Sequence, residues 1–290
     1  MRTCLNTIAI EPNRWTKDHV PALDLAELLV PIRGAGFEHL ELWQYHVSRK
    51  SDPELKTLRD AAGALGMDMP VVGAYPQFHL EGAEADAARR EMYRMLDVAA
   101  LLGAQWVKFF FGHVAGHTMD PRQLELTDSR AHAWIDYGHR EHGLRFCAEL
   151  HAGTMFEPYE FGRRYMRTHP GLDLKVCWQP YKTDDLSRTL AIIRDLGADI
   201  VHAHFQPFNA KGRCLLPDAE LDYIQIVSAL QKANSEFIPS IEFVPGGFAT
   251  PEVPFNLDQA LADAAADARW VDNRLCASTD SKPSGCSGML

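Results

Sequence analysis

The chain has 290 residues, 46% of them hydrophobic and 23% charged, with a net charge of −10. That length and apolar share suffice for one large core without division into domains, and the acidic balance, with no cluster of Lys and Arg, excludes a phosphate-binding nucleic-acid surface and favours a small polar substrate. No apolar run approaches the roughly 20 residues needed to cross a bilayer, and the N-terminus lacks the basic-then-apolar layout of a signal peptide, so a soluble cytoplasmic protein with no membrane partner is expected.

In chain order the pattern predicts a strand over 4–10, a helix over 23–35, a strand over 39–43, a helix over 53–65, a strand over 70–74 and a helix over 83–102. It continues with a strand over 106–111, helix 129–142, strand 144–149, helix 158–167, strand 174–179, helix 184–196, strand 200–205, helix 218–233, strand 237–243 and helix 257–275. The apolar runs mostly lack the alternation of a half-exposed strand, as parallel strands covered on both faces should. Gly36, Gly66, Gly103, Gly143 and Gly197 follow helical segments and suit the left-handed residue that closes a helix. Eight helix–glycine–strand phrases in about 250 residues predict a single (β/α)8 TIM barrel, an α/β fold. A doubly wound open sheet is the runner-up, and no glycine-rich phosphate loop follows the first strand to support it. Residues 1–277 form the expected catalytic domain, and 278–290, rich in Ser, Gly and Pro, an expected disordered tail. The cysteines at 4, 147, 177, 214, 276 and 286 form no CxxC pair, which predicts free thiols in a reducing compartment.

Active sites of such barrels lie at the C-terminal strand ends. The polar residues there are Glu41 and His46, Lys108 and His113, Glu149 and His151, Gln179, His202 and His204, and Glu242. A carboxylate at the end of a buried strand needs a cation or a proton, so Glu149 and Glu242, with His204 and Gln179 between them, mark the corners of one site. Taken singly, Glu149 or Glu242 reads equally as a strand-end acid paired with Lys108 or an arginine. His202 and His204 share a face because strand side chains repeat every second residue, so one is a ligand and the other lies behind it or in the core. His46 and His113 read as loop residues, and Glu41 as structural. Lys108, sharing a face with Trp106 and Phe110, points either inward to a carboxylate or outward to the helices. Trp15, Trp43, Tyr75, Phe78, Trp178, Phe205 and Phe208 suit a sugar pocket or plain core packing, and the stripe Ala260, Ala264, Ala268 suits close packing of the last helix.

Glu149-Leu150-His151-Ala152-Gly153-Thr154, then Trp178-Gln179-Pro180-Tyr181, Val201-His202-Ala203-His204 and Ile241-Glu242-Phe243 resemble successive strand-end motifs of the xylose-isomerase-like sugar phosphate isomerase/epimerase superfamily. The resemblance runs in order over nearly the whole chain. It implies one divalent ion, Mn²⁺ first and Mg²⁺, Co²⁺ or Zn²⁺ as alternatives, held by Glu149, Gln179, His204 and Glu242, with His204 preferred over His202. The family's aspartate is glutamine at 179, which removes one negative charge from the ligand set. The histidine that follows it in the family is also absent, with Lys182 and Thr183 there instead, which speaks against the related DNA-repair endonucleases. The resemblance further implies that Glu149 and Glu242 act as an acid/base pair, in either order, on a keto-sugar or sugar phosphate through an enediolate. His151, Lys108, His202 and Trp178 are expected to contact substrate. A dehydratase or lyase using the same metal site, and a non-catalytic binding or regulatory barrel, stand as alternatives. Many relatives are dimers or tetramers, so a homo-oligomer is compatible with this reading.

Overall fold

A computed structural model describes residues 1–249 and 254–277. The expected disordered tail, with Cys286, lies outside the described residues. Eight parallel strands close into a barrel: β1 Cys4–Asn6, β2 His39–Leu42, β3 Asp68–Ala74, β4 Trp106–Phe109, β5 Arg145–Glu149, β6 Lys175–Trp178, β7 Ile200–Phe205 and β8 Ile238–Ile241. Each pairs with its chain neighbours, and β1 closes on β8 through Leu5 opposite Ile241. Around them lie α1 Leu25–Gly34, α2 Asp52–Ala64, α3 Ala83–Leu102, α4 Pro121–His142, α5 Tyr159–Thr168, α6 Leu186–Leu196, α7 Tyr223–Ala233 and α8 Leu257–Ala277. The predicted barrel and its order of elements are those observed.

Three boundaries differ for local reasons. The run 4–10 is strand only to Asn6, whose side chain accepts the Ile8 N–H at 3.1 Å and turns Thr7–Ile10 into a 3-10 helix. α4 starts eight residues before the predicted 129, where Asp120 accepts the Gln123 N–H at 2.8 Å and Gln123 returns a bond to the Asp120 N–H, a capping box ahead of Pro121. α7 starts at Tyr223 instead of 218 because Asp222 accepts the N–H groups of Ile224 and Gln225. A short helix, Gln44–Val47, and a two-stranded hairpin of Phe208–Asn209 with Gly212–Arg213 were not predicted. All five helix-closing glycines have positive φ.

Two-residue periodicity separates two interiors. Outward side chains such as Val72, Val107, Phe109, Phe146 and Val176 join the apolar faces of the helices in the main core. Ala260, Ala264 and Ala268 are fully buried there, so α8 approaches the barrel closely. Inside the barrel, Val71, Trp106, Cys147 and Cys177 form a small apolar floor, and the polar strand-end residues stand above it. Cys4, Cys147, Cys177 and Cys214 are free and buried, and no helix among the described residues is long and apolar enough to cross a membrane.

Asp267 on α8 is a buried acid of the outer core. Its Oδ1 accepts the Leu216 N–H at 2.8 Å, while Oδ2 has no partner among the described residues. Burial, with Asp263 and Asp218 nearby, pushes its carboxyl up to about 7. A raised folded-state value means that its contribution to stability is complete below about pH 4 and lost as pH rises through about 7. Wild-type unfolding free energy should therefore fall between pH 5 and pH 8 by roughly 2 kcal/mol more than that of Asp267→Asn. Denaturant titrations at the two pH values check this, and equal slopes for both proteins would refute it.

Candidate active site

The inward positions that form the floor continue upward as Lys108 on β4, Glu149 on β5 and Gln179 just past β6, each two residues beyond Trp106, Cys147 and Cys177. On β7 the inward positions are His202 and His204, and Glu41 on β2 and Glu242 just past β8 complete the ring. Gly73 on β3 pairs with Lys108; a Cβ there would stand 3.2 Å from the Leu42 carbonyl and 3.6 Å from the Lys108 amine, so glycine leaves room for the lysine.

Lys108 Nζ donates to Glu149 Oε2 at 2.6 Å and lies 3.8 Å from Glu41. It also stands 5.3 Å and 5.5 Å from the ring centres of Tyr75 and Phe110. Burial disfavours its charge, but Glu149, Tyr75, Glu41 and Glu242 outweigh that and hold the ammonium well above its usual range. The inward alternative for Lys108 is the one observed. Its amine, only 2% exposed, holds Glu149 instead of reaching substrate.

Glu41, read from sequence as structural, is the hub beneath the site. Its carboxylate accepts from His202 Nε2 at 2.8 Å and from His204 Nε2 at 2.9 Å. Burial favours its neutral form, yet His204 and His202 hold it well below the usual carboxylate range. His202 Nδ1 donates to the Ile238 carbonyl at 2.8 Å, so both its nitrogens are committed and it supports Glu41 without facing the cavity. His204 spends Nε2 on Glu41, which turns Nδ1 towards Glu242 at 3.3 Å and Glu149 at 3.8 Å. Burial lowers the His204 value, but Cys177, Glu242, Glu41 and Glu149 raise it well above 6.5. One lone pair at Nδ1 takes either a proton or a cation. Glu242 is held low by His204 and Lys108 against burial.

Glu149, His204 and Glu242 each offer a ligand atom within 4.8 Å of the other two. His204 Nδ1 and Glu242 Oε2 are buried and have no hydrogen-bond partner among the described residues. The chemistry fits a divalent ion, with an imidazole oriented by a carboxylate behind it and two carboxylates beside it. Gln179 is turned otherwise. Its Nε2 donates to Glu149 Oε1 and the Leu150 carbonyl, both at 2.9 Å, and its Oε1 accepts from Gln206. Two acceptors on one side fix which end of the carboxamide points there, so its oxygen faces away from the three ligand atoms. Cys177, His202 and His204 also converge within 4.8 Å; burial pushes the Cys177 thiol up to about 12, and both imidazole Nε2 atoms serve Glu41, so that trio offers no thiolate ligand.

A cavity of about 490 Å³ opens above the ring, and a second of about 560 Å³ adjoins it over β5 to β7; His151, Gln179, Gln206 and Arg213 line both. His151 stacks on Phe110 with ring centres 4.4 Å apart, so it stands where substrate contact was expected. Trp15, Trp43 and Tyr75 line the first cavity and Phe208 the second. Trp178, also expected at substrate, is 1% exposed and belongs to the helix-side core with Phe78 and Phe205. It falls between inward Cys177 and Gln179, so the period of two turns it out. His46 donates to Glu11 at 3.1 Å away from the cavity, whereas His113 lines it, its value lowered by burial.

Wall residues that the sequence reading missed include Gln206, Arg14 and Arg213. Gln206, two residues past His204, was within reach of the period-two rule. Arg14 donates to the carbonyls of Glu11 and Gly247, where a Cβ on Gly247 would sit 2.3 Å from the Ala9 oxygen. Arg213 donates to Gln206 at 2.9 Å, and its guanidinium lies 4.7 Å from the centre of the Phe243 ring. Arg14 sits on a loop and Arg213 in the short hairpin after β7, and neither carries a periodic signal.

Residues 31–271 match the xylose isomerase-like TIM barrel family, and the chain belongs to it. No curated protein matches the chain. Among solved structures, it is similar to the probable 3-DHS dehydratase AsbF of Bacillus anthracis, involved in petrobactin synthesis, at 14% identity and a TM-score of 0.71 over 94% of this chain and 100% of that one. A xylose isomerase-like barrel from Mycobacterium smegmatis in complex with magnesium gives 15%, 0.68, 95% and 97%. D-psicose 3-epimerase of Clostridium cellulolyticum H10, solved with D-tagatose, gives 17%, 0.66, 97% and 97%. At these identities the likeness is one of fold.

Lys108→Met leaves Glu149 buried near Glu41 without its cation. In protein dialysed against EDTA it should cost roughly 3–5 kcal/mol, a drop of several degrees in thermal midpoint. An unchanged midpoint would show that the pair does not hold the site.

Proposed function

We propose that the chain is a divalent-metal-dependent enzyme that isomerises or epimerises a keto-sugar by moving the proton on the carbon beside its carbonyl. The observation that carries this is the convergence of Glu149, His204 and Glu242 within 4.8 Å, with His204 Nδ1 and Glu242 Oε2 buried and unpartnered among the described residues. An unpaired buried polar atom costs roughly 1–3 kcal/mol, and one cation between them would satisfy both. Two carboxylates and one imidazole suit Mn²⁺ first, with Mg²⁺, Co²⁺ or Zn²⁺ compatible. Such an ion supplies positive charge where the substrate carbonyl gains negative charge. Gln179 would complete the set only by turning its carboxamide; as it stands, it steadies Glu149.

The chain's own residues divide the remaining work. Glu242, which lines the cavity, accepts the proton on its carboxylate. Glu149, fixed by Lys108 and Gln179, delivers a second proton, taken up from water, from its own side, and Glu242 gives its proton to water once product leaves. Delivery to the same carbon inverts that centre; delivery to the neighbouring carbon isomerises the sugar. Trp15, Trp43, Tyr75 and Phe243 offer apolar faces to a sugar ring, and Arg14, Arg213, His113 and His151 offer polar atoms to its oxygens. A dehydratase is the second reading, supported by the similarity to AsbF, because loss of a β-hydroxyl follows the same first proton transfer. The free buried thiols of Cys4, Cys147, Cys177 and Cys214 suit a reducing compartment.

Elemental analysis of purified protein should find one divalent ion in this centre, and Glu149→Gln or Glu242→Gln should weaken Mn²⁺ binding by at least about 10-fold. In D₂O, a panel of keto-sugars followed by NMR should gain deuterium beside the carbonyl, and Glu242→Gln should slow this by roughly 100-fold or more. Absence of both metal and exchange would leave a non-catalytic binding barrel.

A further inference from the structure

A second group of metal-binding side chains lies on the outer wall, away from the barrel mouth. Asp128 and His132 stand one turn apart on α4, and His169 follows directly after α5. Ligand atoms of all three lie within 4.8 Å of one another. We propose that Asp128, His132 and His169 form a zinc-class metal site that ties α4 to the end of α5. The proposal is independent of the function assigned to the barrel mouth.

The two histidine–carboxylate distances have the spacing of ligands, not of close hydrogen-bond partners. His132 Nε2 and His169 Nε2 each stand 3.4 Å from the same oxygen, Asp128 Oδ1. That exceeds the usual 2.7–3.2 Å of an N–H···O bond. Ligands about 2.0–2.1 Å from a tetrahedral zinc stand roughly 3.3–3.4 Å apart, the length of a tetrahedron edge. His132 Nε2 has no hydrogen-bond partner among the described residues although it is shielded from solvent.

The surroundings orient the set as metal ligands are oriented. His169 Nδ1 donates to the Tyr165 carbonyl at 3.0 Å, which leaves the lone pair on Nε2 facing Asp128. The His169 ring is clamped by stacking on Tyr165 with centres 4.1 Å apart, and the Tyr165 hydroxyl donates to Asp128 Oδ1. Side-chain exposures of 42% for His132, 33% for Asp128 and 31% for His169 put the group at the protein surface. Two imidazoles and one carboxylate favour Zn²⁺ over Mg²⁺ or Ca²⁺, which prefer all-oxygen sets.

Equilibrium dialysis of the full chain against Zn²⁺, with bound metal counted by mass spectrometry, tests this in wild type, His132→Ala/His169→Ala and Glu149→Gln/Glu242→Gln. The barrel-mouth variant should keep one equivalent, which His132→Ala/His169→Ala in the same background removes. Saturating Zn²⁺ should raise the thermal midpoint of the barrel-mouth variant by roughly 5 °C, and His132→Gln should abolish that rise. No zinc bound to the barrel-mouth variant, or zinc that persists in it after both histidines are also removed, overturns the outer site. One equivalent lost only with the histidines upholds it even if the barrel mouth binds none.

Discussion

A closed barrel has no room for an uncompensated charge, and the interior of this one holds Glu41, Glu149, Glu242, Lys108, His202 and His204, none more than 6% exposed. Taking one ion out of water costs several kcal/mol, so these groups persist only as one connected set. Lys108 neutralises Glu149 and approaches Glu41, Glu41 aligns two imidazoles, and His204 passes the remaining demand to Glu242. The chain of pairs ends on His204 Nδ1 and Glu242 Oε2, neither of which has a hydrogen-bond partner among the described residues. The candidate centre is the place where the protein's internal compensation runs out.

This gives Glu41 and Lys108 positioning roles beneath the site. A carboxylate behind a histidine fixes which ring nitrogen faces forward, and a lysine on one glutamate oxygen fixes the rotation of that carboxylate. Gln179 acts in the same way from the side, with its nitrogen on Glu149 and its oxygen on Gln206, and Gln206 in turn takes a bond from Arg213. A carboxamide at position 179 thus supplies a donor where a carboxylate would bring a charge. The polar ring is tied to the loop wall through that donor.

Much of the fold was legible because two periodicities and a set of helix-closing glycines agree along the whole chain. The apolar runs located the barrel strands, and their ends located Glu149, His204 and Glu242. Boundaries failed where a single side chain competes with the backbone, as Asn6, Asp120 and Asp222 do. Within the site, Glu41 was noted and then undervalued, since nothing local shows that β2 faces β7 across the barrel. Trp178 was assigned to substrate although its place between two inward residues turns it towards the helices. Arg14 and Arg213 left no signal, because residues outside the barrel strands reach a cavity only once the strands bring their segments together.

The sequence by itself determined the barrel, its order of elements and the residue types at the strand mouths, because these follow from side-chain period and local capping chemistry. Tertiary structure decided which polar groups meet. Closure set Glu41 against His202 and His204 across more than 160 residues, turned the Gln179 oxygen away from the centre and left His204 Nδ1 and Glu242 Oε2 unpartnered among the described residues. Those outcomes depend on distances across the barrel and on competition among hydrogen-bond partners, and neither is encoded in any one segment of the chain.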